Sequence, residues 1–149
     1  MIYDKEMFHY LLLHFPIALF IIGYFFDILY TAINIFSLSA YKDQSILFYT
    51  FSYWNTTLAI LFSFPTIISG FITDWSLYGH MENPLPIWTT HGTHMIISIF
   101  IFIIILFLKY KTDIIDAYFS EKTIFIIHTI AIIFFIHGTH IGAKLADRL

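Results

Sequence analysis

The segment HGTHMIISIFIFIIILFL, residues 91–108, joins two histidines to a run that is apolar apart from Ser98. The same tetrapeptide, His-Gly-Thr-His, recurs at residues 137–140, towards the end of another apolar stretch. Both stretches approach the roughly 20 residues that a helix needs to cross the hydrocarbon core of a bilayer. A spacing of three places the two imidazoles of each copy on one helix face. Because such side chains are costly inside a membrane, the repeat predicts a functional site.

The composition indicates an integral membrane protein. The chain of 149 residues is 59% hydrophobic and only 11% charged, which is too little charge to cover a soluble domain of this size. Its net charge of -3 gives no basic patch for nucleic acid. Cysteine is absent, which excludes disulfides, thiolate metal sites and iron–sulfur clusters as features of this chain. Histidine is unusually frequent, with 8 residues against 7 for lysine and arginine together.

Four apolar stretches, at about residues 8–33, 46–72, 87–108 and 123–143, predict an all-α, four-helix transmembrane bundle. We expect a single domain over residues 1–149. Four spans place both termini and the middle connection on one side of the membrane, named side A here, and the other two connections on side B. Side B carries Lys42, Lys109, Lys111 and Lys122, and side A carries Lys5, Lys144 and Arg148. The positive-inside rule therefore favours a cytoplasmic side B, with the termini extracytoplasmic, by one residue.

This topology gathers seven of the 8 histidines at side A. With a rise of about 1.5 Å per residue, His14, His94 and His137 form a tier about 9 Å inside the membrane. His91 and His140 form a second tier, about 4.5 Å closer to water. Because the two tetrapeptides run antiparallel, His94 is level with His137, and His91 is level with His140.

The histidine tiers predict a cofactor site, because imidazole is a common ligand of iron, copper and zinc. A haem b held between two histidines on facing helices is the leading hypothesis, and a copper or zinc site is the alternative. We expect one haem in that gap, since a macrocycle is wider than one helical turn, although a second haem elsewhere is possible. Gly92 and Gly138 would give a macrocycle room, and Thr93 and Thr139 would orient imidazoles.

Other histidines have simpler explanations. His9 lies well round its helix from His14 and is the weakest candidate ligand. His9, His80 and His91 are each equally well explained as amphipathic residues at the membrane interface.

Polar residues elsewhere in the spans predict contacts between helices. Asp27 and His128 both lie about 8–9 Å inside side B, which predicts a pair across the first and fourth helices. Such a pair would be either a proton relay or a structural clamp. Asn55, Thr56 and Thr57 are expected to form interhelical hydrogen bonds.

Several short motifs resemble those of one membrane-protein family. They are the first-helix element Leu13-His14-Phe15-Pro16-Ile17-Ala18 with Asp27 behind it, the segment from Ser69 to Trp75, and the closing element from Gly138 to Leu145. The chain is thereby similar to a family of small four-helix bacterial and archaeal membrane proteins that bears the label of a domain of unknown function. Ala143 departs from the pattern, which more often has glycine there.

The resemblance implies a haem-binding membrane cytochrome, with the ligand role carried onto His14, His94 and His140. The functional prediction is therefore a haem b subunit in the cell membrane of a prokaryote that carries electrons between quinone and a partner redox protein. The alternative is an accessory subunit of a larger complex, with a copper or zinc site or no cofactor. No nucleophile–base motif or phosphate loop predicts autonomous catalysis.

Overall fold

The computed structural model describes residues 5–80, 90–110 and 120–146, and these form four long helices. Their bounds are α1 Lys5–Ile35, α2 Lys42–Tyr78, α3 His91–Tyr110 and α4 Glu121–Ala146. Each helix is long and apolar enough to cross a membrane. The prediction of an all-α, four-helix transmembrane protein is confirmed.

The helix ends differ from the predicted ends because hydropathy marks lipid contact and not backbone hydrogen bonding. Helices α1, α2 and α4 continue beyond their apolar stretches into polar residues at both ends. Helix α3 begins at His91, later than predicted, since its first bond runs from the His94 N–H to the Thr90 carbonyl. Residues 87–89, where the prediction began this helix, lie outside the described part of the chain. Gly79 ends α2 in the left-handed conformation, with φ of 71°, and donates to the Trp75 carbonyl.

The helices form a ring in which α1 contacts α2 and α4, and α3 contacts the same two neighbours. An apolar layer closes the middle of this ring. Phe20 and Phe102 stack with ring centroids 4.0 Å apart, and Phe135 meets Phe20 edge-on at 5.0 Å. Phe20 and Phe102 are fully buried and lie near the centres of their spans. The layer separates the polar groups of side A from those of side B.

The hydroxyl and amide side chains of α2 bond mainly within their own helix. Asn55, Thr56 and Thr57 each donate to the carbonyl four residues earlier, at 2.8 Å. The prediction that these residues bond between helices is therefore wrong. The reason is that the preceding turn offers an acceptor already in reach, so the polar atom is satisfied in lipid without a neighbouring helix.

Replacing Phe102 by alanine should destabilise the bundle, because the ring fills the centre of the apolar layer. We expect Phe102→Ala to cost about 3–5 kcal/mol and to lower the thermal unfolding midpoint of the protein in detergent. Phe107→Ala on the same helix is the matched control, since that ring is 60% exposed. Equal midpoints for the two variants would contradict this account of the core.

Candidate functional site

A cluster of buried polar residues lies at side B and takes one side chain from each helix. Lys109 Nζ lies 2.5 Å from Asp27 Oδ1 and donates to Ser52 Oγ at 2.9 Å. His128 Nδ1 lies 2.7 Å from Asp27 Oδ2. We call Asp27, Ser52, Lys109 and His128 the Asp27 cluster. None of the four is more than 5% exposed, so their polar atoms depend on one another.

The Asp27 cluster includes the Asp27–His128 pair that the sequence predicts, and it adds Lys109. The sequence prediction placed Lys109 in the connection beyond α3, whereas its side chain turns back into the bundle. Asp27 itself could have predicted a basic partner such as Lys109, because a carboxylate inside a membrane segment needs a cation more than it needs a neutral imidazole.

The burial of Lys109 also weakens the predicted orientation. A lysine paired with Asp27 inside the bundle is not a free charge in a side B connection. Without Lys109, the two sides have three basic residues each, and the margin that favoured a cytoplasmic side B disappears.

His128 is the most enclosed member of the Asp27 cluster. Its ring meets Tyr24 edge-on at 5.2 Å and Phe102 edge-on at 5.8 Å, and it has no exposed surface. Its Nε2 has no hydrogen-bond partner among the described residues. The pairing through Nδ1 joins α4 to α1, which is what a structural clamp requires, and the proton relay stays a prediction.

Removing the cation should leave the Asp27 carboxylate buried and short of partners. We expect Lys109→Met to cost about 3–5 kcal/mol, because breaking a buried ion pair leaves an uncompensated charge. The measurement is thermal or denaturant unfolding in detergent, with Lys122→Met, an exposed lysine, as the control. A Lys109→Met protein as stable as the control would show that Asp27 does not depend on Lys109.

At side A, α3 and α4 approach closely through two glycines. His91 Nδ1 lies 2.8 Å from the Gly138 carbonyl oxygen, and its ring rests on Gly142, where an added Cβ would come within 2.6 Å of it. An added Cβ at Gly138 would come within 2.7 Å of the His94 Cβ. The space that we expected Gly138 to give to a macrocycle is therefore occupied by His94.

His94 is fully buried between these helices. Its Nδ1 lies 3.0 Å from the Thr90 carbonyl oxygen, and its ring stacks on Phe134 at 4.5 Å. Thr139 donates to the Ile136 carbonyl of its own helix at 2.8 Å. For His94 a backbone carbonyl therefore takes the orienting role that was predicted for threonine, and Thr139 bonds its own helix instead.

The structure brings His94 and His137 of the predicted deeper tier to one level, but three of the predicted ligand histidines point outward. His94 and His137 meet with ring centroids 5.3 Å apart at 60°. His14, His137 and His140 are all exposed, and His14 Nδ1 lies 2.5 Å from the carbonyl oxygen of its own Tyr10. These exposed rings do not gather around one point inside the bundle.

The His94–His137 pair does not fit the two sides of a haem. A haem iron lies about 2 Å from each axial nitrogen, which sets the imidazole centroids about 6 Å apart across the macrocycle. The two rings are closer than this, and the contact of His94 with Gly138 closes the gap.

His9, the weakest candidate in the sequence, is placed much as His91 is. His9 Nδ1 lies 2.9 Å from Ser69 Oγ, and its half-buried ring is 3.1 Å from a Cβ built on Gly70. The signal in the sequence was the small pair Ser69–Gly70 at the matching level of α2.

Metal-binding side chains do not cluster in larger groups in the part of the chain that the structure describes. No three or more histidines, aspartates or glutamates lie close enough there to hold a metal ion together. A metal ion on these histidines would need further ligands.

The comparison with known proteins agrees with the fold. The model of the DUF2231 family, described as predicted membrane proteins, matches residues 6–149, and the chain belongs to this family. The resemblance that the sequence motifs indicated is thereby confirmed as far as the family is concerned. No curated protein and no solved structure gives a significant match.

Proposed function

We propose that this DUF2231 protein is a haem b-binding membrane subunit that carries electrons between quinone and a partner redox protein. The observation that favours this function is the matched placement of His9 and His91. Both lie near the side A ends of their helices, α1 and α3, which stand opposite each other in the ring. Diagonal helices are where a bundle presents two ligands to one central group.

The residues around His9 and His91 suit the ligand role. Nδ1 of His9 meets Ser69, and Nδ1 of His91 meets the Gly138 carbonyl, so Nε2 is the nitrogen that each ring can offer to iron. A bond of this kind at the other ring nitrogen is the usual support of a metal-ligating histidine. Gly70 and Gly142 hold the two rings in cradles that a larger residue would fill. The free Nε2 atoms and the bonds at Nδ1 are therefore features that support a bis-histidine haem between α1 and α3.

The position near side A suits exchange with other redox molecules. His9 and His91 each lie 11 residues, about 16 Å, from the Phe20–Phe102 layer, close to the edge of the hydrocarbon core. A bound haem would supply one-electron chemistry there. In this proposal a quinol reaches the site from the bilayer, and the partner docks on side A of the prokaryotic cell membrane. The chain acts as a subunit of a complex and not as an autonomous enzyme.

Optical spectroscopy tests the haem proposal. The purified protein should give a reduced-minus-oxidised spectrum with a b-type α band, and His9→Ala and His91→Ala should each abolish it. His140→Ala is the matched control, because His140 is exposed and belongs to the same histidine-rich end. Loss of the band in His14→Ala or His140→Ala alone would instead identify the exposed histidines as the haem ligands. A colourless protein without iron would end the proposal.

A second candidate is an accessory subunit with a copper or zinc ion, and the His94–His137 contact favours it. Two imidazoles that share a tetrahedral ion at about 2 Å have centroids roughly 5 Å apart. The observed separation of 5.3 Å matches this arrangement better than it matches a haem. The remaining ligands would come from outside the described residues or from a partner subunit.

Elemental analysis separates the two candidates. If the second is right, the purified protein should contain about one copper or zinc per chain, and His94→Ala and His137→Ala should lose it. His9→Ala should retain the metal, since the His9 ring packs against Ser69 and Gly70 of α2. Iron in place of copper or zinc would favour the haem.

A further inference from the structure

Helices α1 and α3 present the same kinds of contact at the same intervals. His9, Phe20 and Asp27 of α1 correspond to His91, Phe102 and Lys109 of α3, each 82 positions later. Two of the three residues also meet their own counterparts. The phenylalanines stack at 4.0 Å, Asp27 and Lys109 form an ion pair at 2.5 Å, and the two histidines lie near the same end of the bundle.

Helices α2 and α4 show a matching correspondence with an offset of 72 residues. Gly70 and Gly142 each support the histidine of the preceding helix. Ala59 and Ala131, which lie 11 residues before these glycines, are both fully buried. The same offset relates two independent features, one at side A and one at the centre of the bundle.

We infer that the chain consists of two equivalent helical hairpins, α1–α2 and α3–α4, related by an approximate twofold axis along the membrane normal. We further infer that the unlike charges of Asp27 and Lys109 on this axis select the pairing of the first hairpin with the second. Parallel repeats related by an axis of this direction are a known way of building membrane proteins. The partner that each hairpin fits is therefore a similar hairpin that carries the opposite charge at the position of Asp27 or Lys109.

The axis explains why the charges are needed. Phenylalanine faces phenylalanine, and histidine stands at the equivalent position of both helices, so these two features would be the same between two copies of one hairpin. Of the three corresponding pairs, the third alone differs between the hairpins, because two first hairpins would bring Asp27 against Asp27, and two second hairpins would bring Lys109 against Lys109. Like charges in this buried position would be strongly unfavourable, whereas the unlike pair neutralises itself.

Two neighbours fix the ion pair in the orientation that the structure shows. Ser52 of the first hairpin accepts from Lys109 of the second, and His128 of the second bonds Asp27 of the first. Both bonds cross between the hairpins and hold each charge against the opposite unit. Neutral partners can bond these same atoms, which allows charge to be tested apart from hydrogen bonding.

Removing the charges of Asp27 and Lys109 tests whether charge selects the partner hairpin. The full chain with Asp27→Asn and Lys109→Gln retains groups that can bond Ser52 and His128 but loses the charge difference. We expect this variant to form dimers and larger species by exchange of hairpins between chains, in excess of the wild type, measured by light scattering coupled to size exclusion. An oligomer distribution identical to that of the wild type would overturn the selection by charge.

Reversing the signs of the charges tests whether the positions of Asp27 and Lys109 are equivalent. Asp27→Lys alone and Lys109→Asp alone each place like charges on the axis and should reduce the yield of monodisperse protein roughly tenfold. The double variant with both changes restores unlike charges and should recover most of the lost yield, but not all of it, because His128 then faces a lysine in place of its carboxylate partner. A double variant no better than either single variant would show that the positions are not equivalent. Asp43→Lys and Lys122→Glu, at exposed positions outside the cluster, are the controls and should behave as wild type.

Discussion

One carboxylate, that of Asp27, sets the requirement that the rest of the bundle satisfies at side B. A carboxylate seven residues, about 10 Å, from the central phenylalanine layer has too little water around it to remain unpaired. Its partners come from every other helix: Ser52 from α2, Lys109 from α3 and His128 from α4. Lipid-facing apolar surfaces give helices no preferred rotation, because lipid tails are as apolar as leucine. The polar contacts to Asp27 provide that preference for all four.

The opposite end of the bundle depends on close backbone approach and not on charge. Gly138 and Gly142 allow α4 to pass directly beneath His94 and His91, and Gly70 does the same for α2 beneath His9. Small residues are the usual means by which membrane helices gain van der Waals contact. The imidazoles therefore occupy pockets that glycine leaves, with Nδ1 of His9 and His91 already bonded. A ligand at this end would meet rings that are already oriented.

The sequence predicted the features that depend on composition and length. Apolar runs identified the four helices, and the rise per residue placed His94 level with His137 and Asp27 level with His128. The directions of side chains were beyond this reasoning, because helices that are apolar all round give no amphipathic signal for rotation. For that reason the sequence did not show that His14 faces outward and that His9 faces inward. Lys109 was missed because its long aliphatic stem carries the ammonium back into the bundle from a residue at the helix end.

The residues of the Asp27 cluster are synthesised at different times. Asp27 leaves the ribosome 82 residues before Lys109 and 101 residues before His128, which is roughly 4–20 s at about 5–20 residues per second. During that interval Ser52, which can contact Asp27 weakly at 3.5 Å, is the one cluster partner that has been made. Charged residues reduce the tendency of a segment to insert, so α1 is a poorer membrane segment by itself than its hydropathy indicates. The carboxylate of α1 therefore gains its cation only after α3 has been made, and its imidazole partner only with α4.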